Sequence, residues 1–479
     1  MRGIVDRKQE IEELRALAQR APSLGLLYGR RRVGKTFLLD HAWADMRHFY
    51  FLAADTTSEM NRAELIRELS EWSGNDYVEA DFPSWRNVFR LLAQLAESGP
   101  LVVVLDEFQY LMGQTDDIVS QLVAIWDREL RGRPLTLVLC GSEVATMAGL
   151  EAGDSPLYGR PNWSARLRPF DYLDTRAMVP NRSPREAAYI YGVFGGTPRF
   201  LVTITEEDEL AERVTETVLS PRGEVHLQLE RLIEQEKGIR EPREYRAVLS
   251  AVADGNTETD RIAAAAGLSD RTHVVIRALG VLESLELIWR ERNFDAAERT
   301  PWKNRIADHA VRFWYRFVHK NRSLLETGEA RRVWRQRVEP YLDDYMGKVF
   351  ERMCREAFLR HHDRWGLGGA LEWARWEGQD RSRRPIEIDL ISRLDDGRLL
   401  TGEIKWSSRP IDYDVHLALQ RDLEDLARSG QGWAQGALDP ERSAGHLYFS
   451  AAGFSDHFHQ RAAEAGNILL RDLNDLYVA

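Results

Sequence analysis

Cysteine is nearly absent: Cys140 and Cys354 are the only two in 479 residues. At most one disulfide can form, so a reducing, cytosolic setting is expected. No stretch approaches the ~18 uninterrupted apolar residues of a membrane span. The opening MRGIVDRKQEIEEL carries charges where a secretory signal would need its apolar stretch. A cytoplasmic location with no membrane partner is the expectation. A basic balance is also missing, since 65 Lys and Arg stand against 76 Asp and Glu, for a net charge of -11. Proteins that coat nucleic acid draw most of their affinity from phosphate contacts and are basic overall. Any contact with DNA must therefore come from a local patch. What is present is ordinary globular material, with 43% hydrophobic and 29% charged residues. At ~150 residues per domain the length suggests about three domains.

The segment Ser23–Leu27 is short and apolar and runs through Tyr28 into GRRRVGKT, Gly29 to Thr36. FLLDHAW follows as an amphipathic stretch. Strand, glycine loop and helix start are the context that gives G-x-x-x-x-G-K-[ST] its meaning. Gly29 and Gly34 let the loop Gly29, Arg30, Arg31, Arg32, Val33, Gly34 turn its N–H groups toward phosphate oxygens. The same cradle extends through Lys35, Thr36 and Phe37. Lys35 is expected to reach the β- and γ-phosphates of ATP, and Thr36 to ligate Mg²⁺. A second apolar run, Leu101–Leu105, ends in Asp106 and Glu107. Such a run suits a buried strand of a parallel sheet, whose C-terminal edge is where ligands bind. Asp106 is then a Mg²⁺ ligand, and Glu107 orients and deprotonates the attacking water. A capped strand end with two solvated carboxylates is the plainer alternative. A third run, Leu135–Glu143, places Ser142 at the same edge and Cys140 in the core.

The order of DRKQEIEEL, GRRRVGKT, VVVLDEFQYL, AIWDREL, LVLCGSE, SPLYGR and GGTPRFL resembles the archaeal-type ATPases of the STAND/AAA+ branch of P-loop NTPases. The resemblance covers about residues 1–205. It implies that Val5–Arg7 lies near the adenine and that Ser142 acts as the first sensor. It also implies that Arg160 meets the γ-phosphate, within the chain or from a neighbouring subunit of a homo-oligomer. Gly196–Pro198 would turn a helical lid back onto the nucleotide, with Pro198 in contact and Arg199 as a second sensor. Arg160 and Arg199 as plain surface arginines remain the alternative.

From Arg243 the pattern becomes three helices and a hairpin, the outline of a winged helix. Thr257 or Thr259 is expected to cap the second helix, Gly267 to end it, and Ser269 to open the third. If this domain binds DNA, Arg271, Thr272, His273 and Arg277 are nearest the exposed face of the third helix. The structural-relay alternative is favoured by Glu283 and Glu286, which flank the wing. Phe313, Trp314, Tyr315 and Phe317 read as an inter-domain core, with base stacking as the alternative.

Toward the C-terminus, YMGKVFERMCREAFL is an amphipathic helix containing Glu351. PIEIDLISRL is an alternating strand with Asp389, DDG a turn, and LLTGEIKWSS a strand with Glu403 and Lys405 on one face. Two carboxylates can bind hard cations, and a nearby lysine can orient or activate water. The pattern resembles the PD-(D/E)xK superfamily, the restriction-endonuclease-like fold. That implies Glu351 as the helical acid, Asp389 and Glu403 as metal ligands, and Lys405 as the catalytic lysine. Glu387–Ile388 stand where the named motif has its proline. Arg375, Arg381, Arg383 and Arg384 are candidates for a local positive patch, with a solvated loop as the alternative. His361–His362 read as surface residues.

The expected organisation is α/β: a P-loop parallel-sheet core (1–177), a helical lid (178–238), a winged helix with connector (239–325) and an α/β restriction-endonuclease-like domain (326–479). ATP with Mg²⁺ would gate a metal-dependent nuclease acting on DNA. The alternative is a nucleotide-dependent switch or scaffold whose C-terminal domain binds without cutting.

Overall fold

The computed structural model describes residues 7–112, 117–205, 208–234, 236, 239, 241–370 and 372–478. It divides into two compact units, Met1–Pro169 with Thr197–Arg199, and Phe170–Gly196 with Phe200–Ala479. The expected position of Val5 near the adenine lies outside the described residues.

The first unit is built on β1 (Ser23–Tyr28), β2 (His48–Leu52), β3 (Leu101–Asp106), β4 (Leu135–Gly141) and β5 (Trp163–Arg166). They form one sheet in the order β2-β3-β4-β1-β5, and every pairing is parallel. Side chains alternate across a strand, so an unbroken apolar run serves two cores at once. Leu26, Val103, Leu105, Leu137 and Leu139 face one core with Trp85 and Phe89. Leu27, Val102, Val104, Val138 and Cys140 face the other with Leu14 and Trp43. Truncating a fully enclosed residue such as Leu105 to alanine would cost about 2–5 kcal/mol. The parallel direction puts the ends of β1, β3 and β4 at one edge, which is what the site needs.

The second unit holds helices Tyr172–Met178 and Pro184–Phe194, then helices Pro242–Ala253, Thr259–Ala265 and Thr272–Ser284. The antiparallel pair β6 (Ile288–Glu291) and β7 (Lys303–Ile306) follows. Neither threonine caps the second helix of this trio. Glu258 holds the N-cap position without a side-chain hydrogen bond, and Thr259 is already the first helical residue. Ser269 starts a short 3₁₀ turn, and the third helix proper begins at Thr272. Phe313, Trp314, Tyr315 and Phe317 are all buried.

A separate C-terminal sheet contains β8 (Ala374–Gln379), β9 (Pro385–Arg393), β10 (Leu399–Lys405), β11 (Ser443–Ser450) and β12 (Ile468–Asp472) in the order β12-β11-β10-β9-β8. It is mixed: β8, β9 and β10 run antiparallel, while β10, β11 and β12 run parallel. Gly397, at φ 85°, closes the turn between β9 and β10, where a side chain would be strained. Strand β9 has the two-residue period of a sheet with two different faces. Ile386 and Ile388 pack with Leu419, Leu423 and Leu426 of helix Asp414–Arg428. Glu387 and Asp389 point the opposite way. The hairpin is tied to this sheet: Phe294 N donates to Arg375 O at 2.8 Å, and Asn293 Nδ2 donates to Glu377 O at 2.7 Å. Among the described residues no helix is long and apolar enough to cross a membrane.

Two surface expectations are corrected. His361 is buried at 7% exposure, because it sits on the inward face of the long helix Leu342–His361. Arg375 is equally buried, on β8 among carboxylates, and Arg384 pairs with Asp422 and Asp425. Neither arginine offers free positive potential; among the described residues Arg381 and Arg383 are the members of that group that stand exposed without an ion pair.

Candidate nucleotide site and C-terminal carboxylate site

The loop Gly29–Thr36 joins β1 to helix Lys35–Ala42. Gly34, at φ 96°, makes the left-handed turn that starts the helix. Gly29 is required for a different reason: a Cβ there would meet Leu167 O at 2.2 Å. The Lys35 ammonium donates to the carbonyls of Gly29 at 2.9 Å and Arg30 at 3.2 Å, so it lies inside the curl of the loop. Arg30 and Val33 are buried, Arg31 donates to Tyr110 OH at 2.8 Å, and Phe37 is exposed.

Thr36 Oγ1 lies 3.4 Å from Asp106 Oδ2, which brings the glycine loop and the tip of β3 together. Asp106 also accepts from Tyr50 OH on β2 and, at 2.7 Å, from the Glu107 N–H. Burial, with Asp106 beside it, raises the Tyr50 hydroxyl well above its ordinary pKa, so Tyr50 is a fixed donor. Glu107 adopts φ 52°, a left-handed conformation uncommon for a side-chain-bearing residue. Its carboxylate accepts from Ser142 Oγ at 2.6 Å and from Gln109. Glu107 and Ser142 thus meet at the strand edge. The Arg160 guanidinium is held by Asp127 at 2.9 Å and by the Pro156 carbonyl at 2.6 Å, with neither loop nor Asp106 among those partners. Thr197, Pro198 and Arg199 belong to the first unit and Gly196 to the second, so this turn lies where the chain passes between units. Tyr50 and Gln109 were missed by sequence reasoning. Gln109 had a weak signal, two residues after Glu107, whereas Tyr50 arrives only through the β2–β3 pairing.

In the second unit Asp389 lies on β9, Glu403 and Lys405 on β10, and Glu351 on the long helix. Lys405 Nζ is 3.4 Å from Asp389 Oδ2 and also donates to Glu403. Asp389 Oδ2 further accepts from Ile404 N at 3.1 Å. Burial, then the neighbouring Asp389, push the Glu403 carboxyl up to about 8, against the pull of Lys405. Burial alone would lower Lys405, but Glu403 and Asp389 outweigh it and raise its pKa. The carboxylate oxygens that come within 4.8 Å of one another belong to Glu351, Glu387 and Asp389. Glu403 stands outside that trio, so of the expected metal pair only Asp389 joins it, and Glu351 and Glu387 are its neighbours there. Glu387 had a readable signal, since it is two residues before Asp389 on an alternating strand. Arg375 lies among these acids, 3.5 Å from Glu351 and in contact with Glu387.

The parallel sheet, glycine loop and acidic strand tip define the N-terminal unit as a P-loop ATPase domain, which binds and hydrolyses nucleotide. Residues 4–204 match the model of an ATPase domain predominantly from Archaea. Residues 314–415 match archaeal and bacterial proteins of unknown function. The uncharacterized protein MJECL04 of Methanocaldococcus jannaschii is 27% identical over 98% of this chain and 99% of its own length. A shorter one from that organism, MJ0424, is 33% identical over 20% of this chain and 94% of its own length. The chain belongs to one family with MJ0424. The Walker-type ATPase paby2304 of Pyrococcus abyssi shares the fold at 23% identity and a TM-score of 0.51, over 65% of this chain and 96% of that one.

Proposed function

We propose that the protein is an ATP-driven switch whose nucleotide state gates metal-dependent cleavage of DNA by its C-terminal domain. ATP is the nucleotide, bound at Gly29–Phe37 with Lys35 against its phosphates. The oxygen donors fit a hard cation: Thr36 Oγ1 and Asp106 Oδ2 are 3.4 Å apart and would hold Mg²⁺. When bound, the ion supplies positive charge to the phosphate oxygens. Glu107, steadied by Ser142 and Gln109, takes the proton of the attacking water. Arg160 and Pro198 complete the site on the nucleotide side, Arg160 after exchanging Asp127 for phosphate. Arg199 as second sensor and assembly into a homo-oligomer belong to the same reading, as does a cytoplasmic location.

The observation that carries the nuclease half is the contact of one lysine with two carboxylates from adjacent strands. Beside them Glu351 and Glu387 complete an all-oxygen set suited to Mg²⁺ or Mn²⁺. The metal would polarise the phosphodiester, Asp389 and Glu403 would hold it with Glu351, and Lys405 would orient the water. On this reading the C-terminal sheet is a restriction-endonuclease-like domain, the trio of helices and hairpin a winged helix, and the helices between core and trio a lid. Incubation of linear and of single-stranded DNA with Mn²⁺ tests it: the wild type should cut and Lys405→Ala should not. Equal cutting by both would remove Lys405 from the chemistry. A second reading, binding without cutting, is favoured by Arg375, which already supplies positive charge to Glu351 and Glu387. DNA retained but intact in the wild-type assay would select it.

A further inference from the structure

Next to the carboxylates lies a cavity of about 380 Å³, walled by the β6–β7 hairpin, the long helix and β8. Its lining passes from Trp289, His309 and Arg312 to Glu351 and Asp389. A second cavity, about 420 Å³, lies along the hairpin and is lined by Arg292, Trp302 and Arg393 among others. Trp289, Arg355 and Trp373 line both, so the two are lobes of one groove.

Two properties of this groove call for a ligand. The first is positive charge held without direct ion pairs, although Glu291, which lines both lobes, and Glu351 lie nearby. Arg355 lies over the Trp289 ring at 4.6 Å and Arg292 over the Trp302 ring at 4.1 Å. Arg312 donates to the Ile306 carbonyl at 2.7 Å. Among the described residues none of these three forms an ion pair, and burial depresses the pKa of Arg312 and of Arg355. Cations taken from water without a direct ion-pair partner are costly, and a phosphate group would supply one. The second is unsatisfied polarity. His309 is 3% exposed, and neither of its ring nitrogens has a hydrogen-bond partner. Asn304 Oδ1, also in the lining, is buried without one. The aromatic component sets the class of anion. Trp302 is 45% exposed, and Trp289 and Trp373 are half-buried beside the arginines. Indole faces alternating with guanidinium groups suit unpaired bases on a phosphate backbone, whereas a duplex hides its bases.

We infer that this groove binds a single-stranded nucleic-acid segment and leads its backbone to Glu351 and Asp389. The inference rests on the nuclease reading for its direction but not for the binding itself. It makes the hairpin a wall of the strand path rather than a probe of a duplex groove, in keeping with its attachment to β8 through Asn293 and Phe294.

Fluorescence anisotropy of the full chain with labelled oligothymidylate, oligouridylate and a mixed-sequence duplex, in EDTA, tests it. Tight binding of a single strand over the duplex is expected. The stronger of the two single strands identifies DNA or RNA as the source of the shared phosphate–base chemistry. Trp289→Ala and Arg355→Gln should each weaken single-strand binding by about tenfold, and Trp289→Phe should restore most of it. Unchanged melting temperatures would confirm folded variants. Wild-type affinity in both Trp289→Ala and Arg355→Gln, or a preference for duplex, would overturn the inference. Because no divalent ion is present, this outcome is independent of cleavage. Failure to cut with Mn²⁺ while single strands still bind would instead fall on the nuclease reading alone.

Discussion

The lysines of the two sites make an instructive contrast. Lys35 is surrounded by carbonyl groups of its own loop, and its hydrogen bonds go to Gly29 and Arg30. Lys405 is held by two carboxylates, Glu403 and Asp389. Among the described residues the first has no carboxylate partner and sits inside a loop of backbone dipoles, which suits it to a multiply charged phosphate. The second is part of a balanced cluster, where extra positive charge is tolerated because Glu351 and Glu387 are also present. The two lysines are therefore different devices, distinguished by what already surrounds each: backbone carbonyls for Lys35 and carboxylates for Lys405.

Breaking the first device should give the largest effect. Lys35→Ala is expected to lower ATP turnover by about 100-fold or more in a phosphate-release assay, and to weaken binding of a fluorescent ATP analogue. Glu107→Gln should separate chemistry from binding, with turnover down by about 100-fold and ATP analogue affinity retained. On the other side of the comparison, Asp389→Asn should abolish Mn²⁺-dependent cutting on gels while ATP turnover stays within about twofold of wild type.

The smallest expected effect concerns the frame of the second site. Glu377 joins Lys303 and Arg305 of the hairpin to β8. Burial would raise its carboxyl, but Lys303, Arg305 and Arg375 hold it down to about 2. A depressed acid contributes stability above its unfolded pKa, and loses it as pH falls toward the folded value. Glu377→Gln should therefore cost about 2 kcal/mol in urea unfolding at pH 7. The difference from wild type should shrink between about pH 4.5 and 2, so a gap that persists at pH 2 would break the assignment.

Legibility differed between the two sites for physical reasons. The phosphate loop is one contiguous stretch, and β3 is an unbroken apolar run ending in acid, so local sequence carries both. The contact of Tyr50 with Asp106 depends on which strand pairs with β3, and no local pattern encodes that. In the C-terminal sheet, alternation in β9 placed Asp389 and could equally have marked Glu387. The role of Arg375 was hidden, because a basic stretch looks the same whether it is a solvated loop or a buried strand. His361 was misread for a related reason: a histidine pair near the end of a long helix does not announce which of the two faces inward.

The claim that nucleotide state controls the C-terminal site is tested most directly by one measurement. Single-strand cleavage with Mn²⁺ would be followed in the presence of ATP, of ADP and of neither, for wild type and Lys35→Ala. A wild-type rate that changes with the nucleotide and a Lys35→Ala rate that does not are expected. Wild-type cleavage at one rate under all three conditions would contradict it.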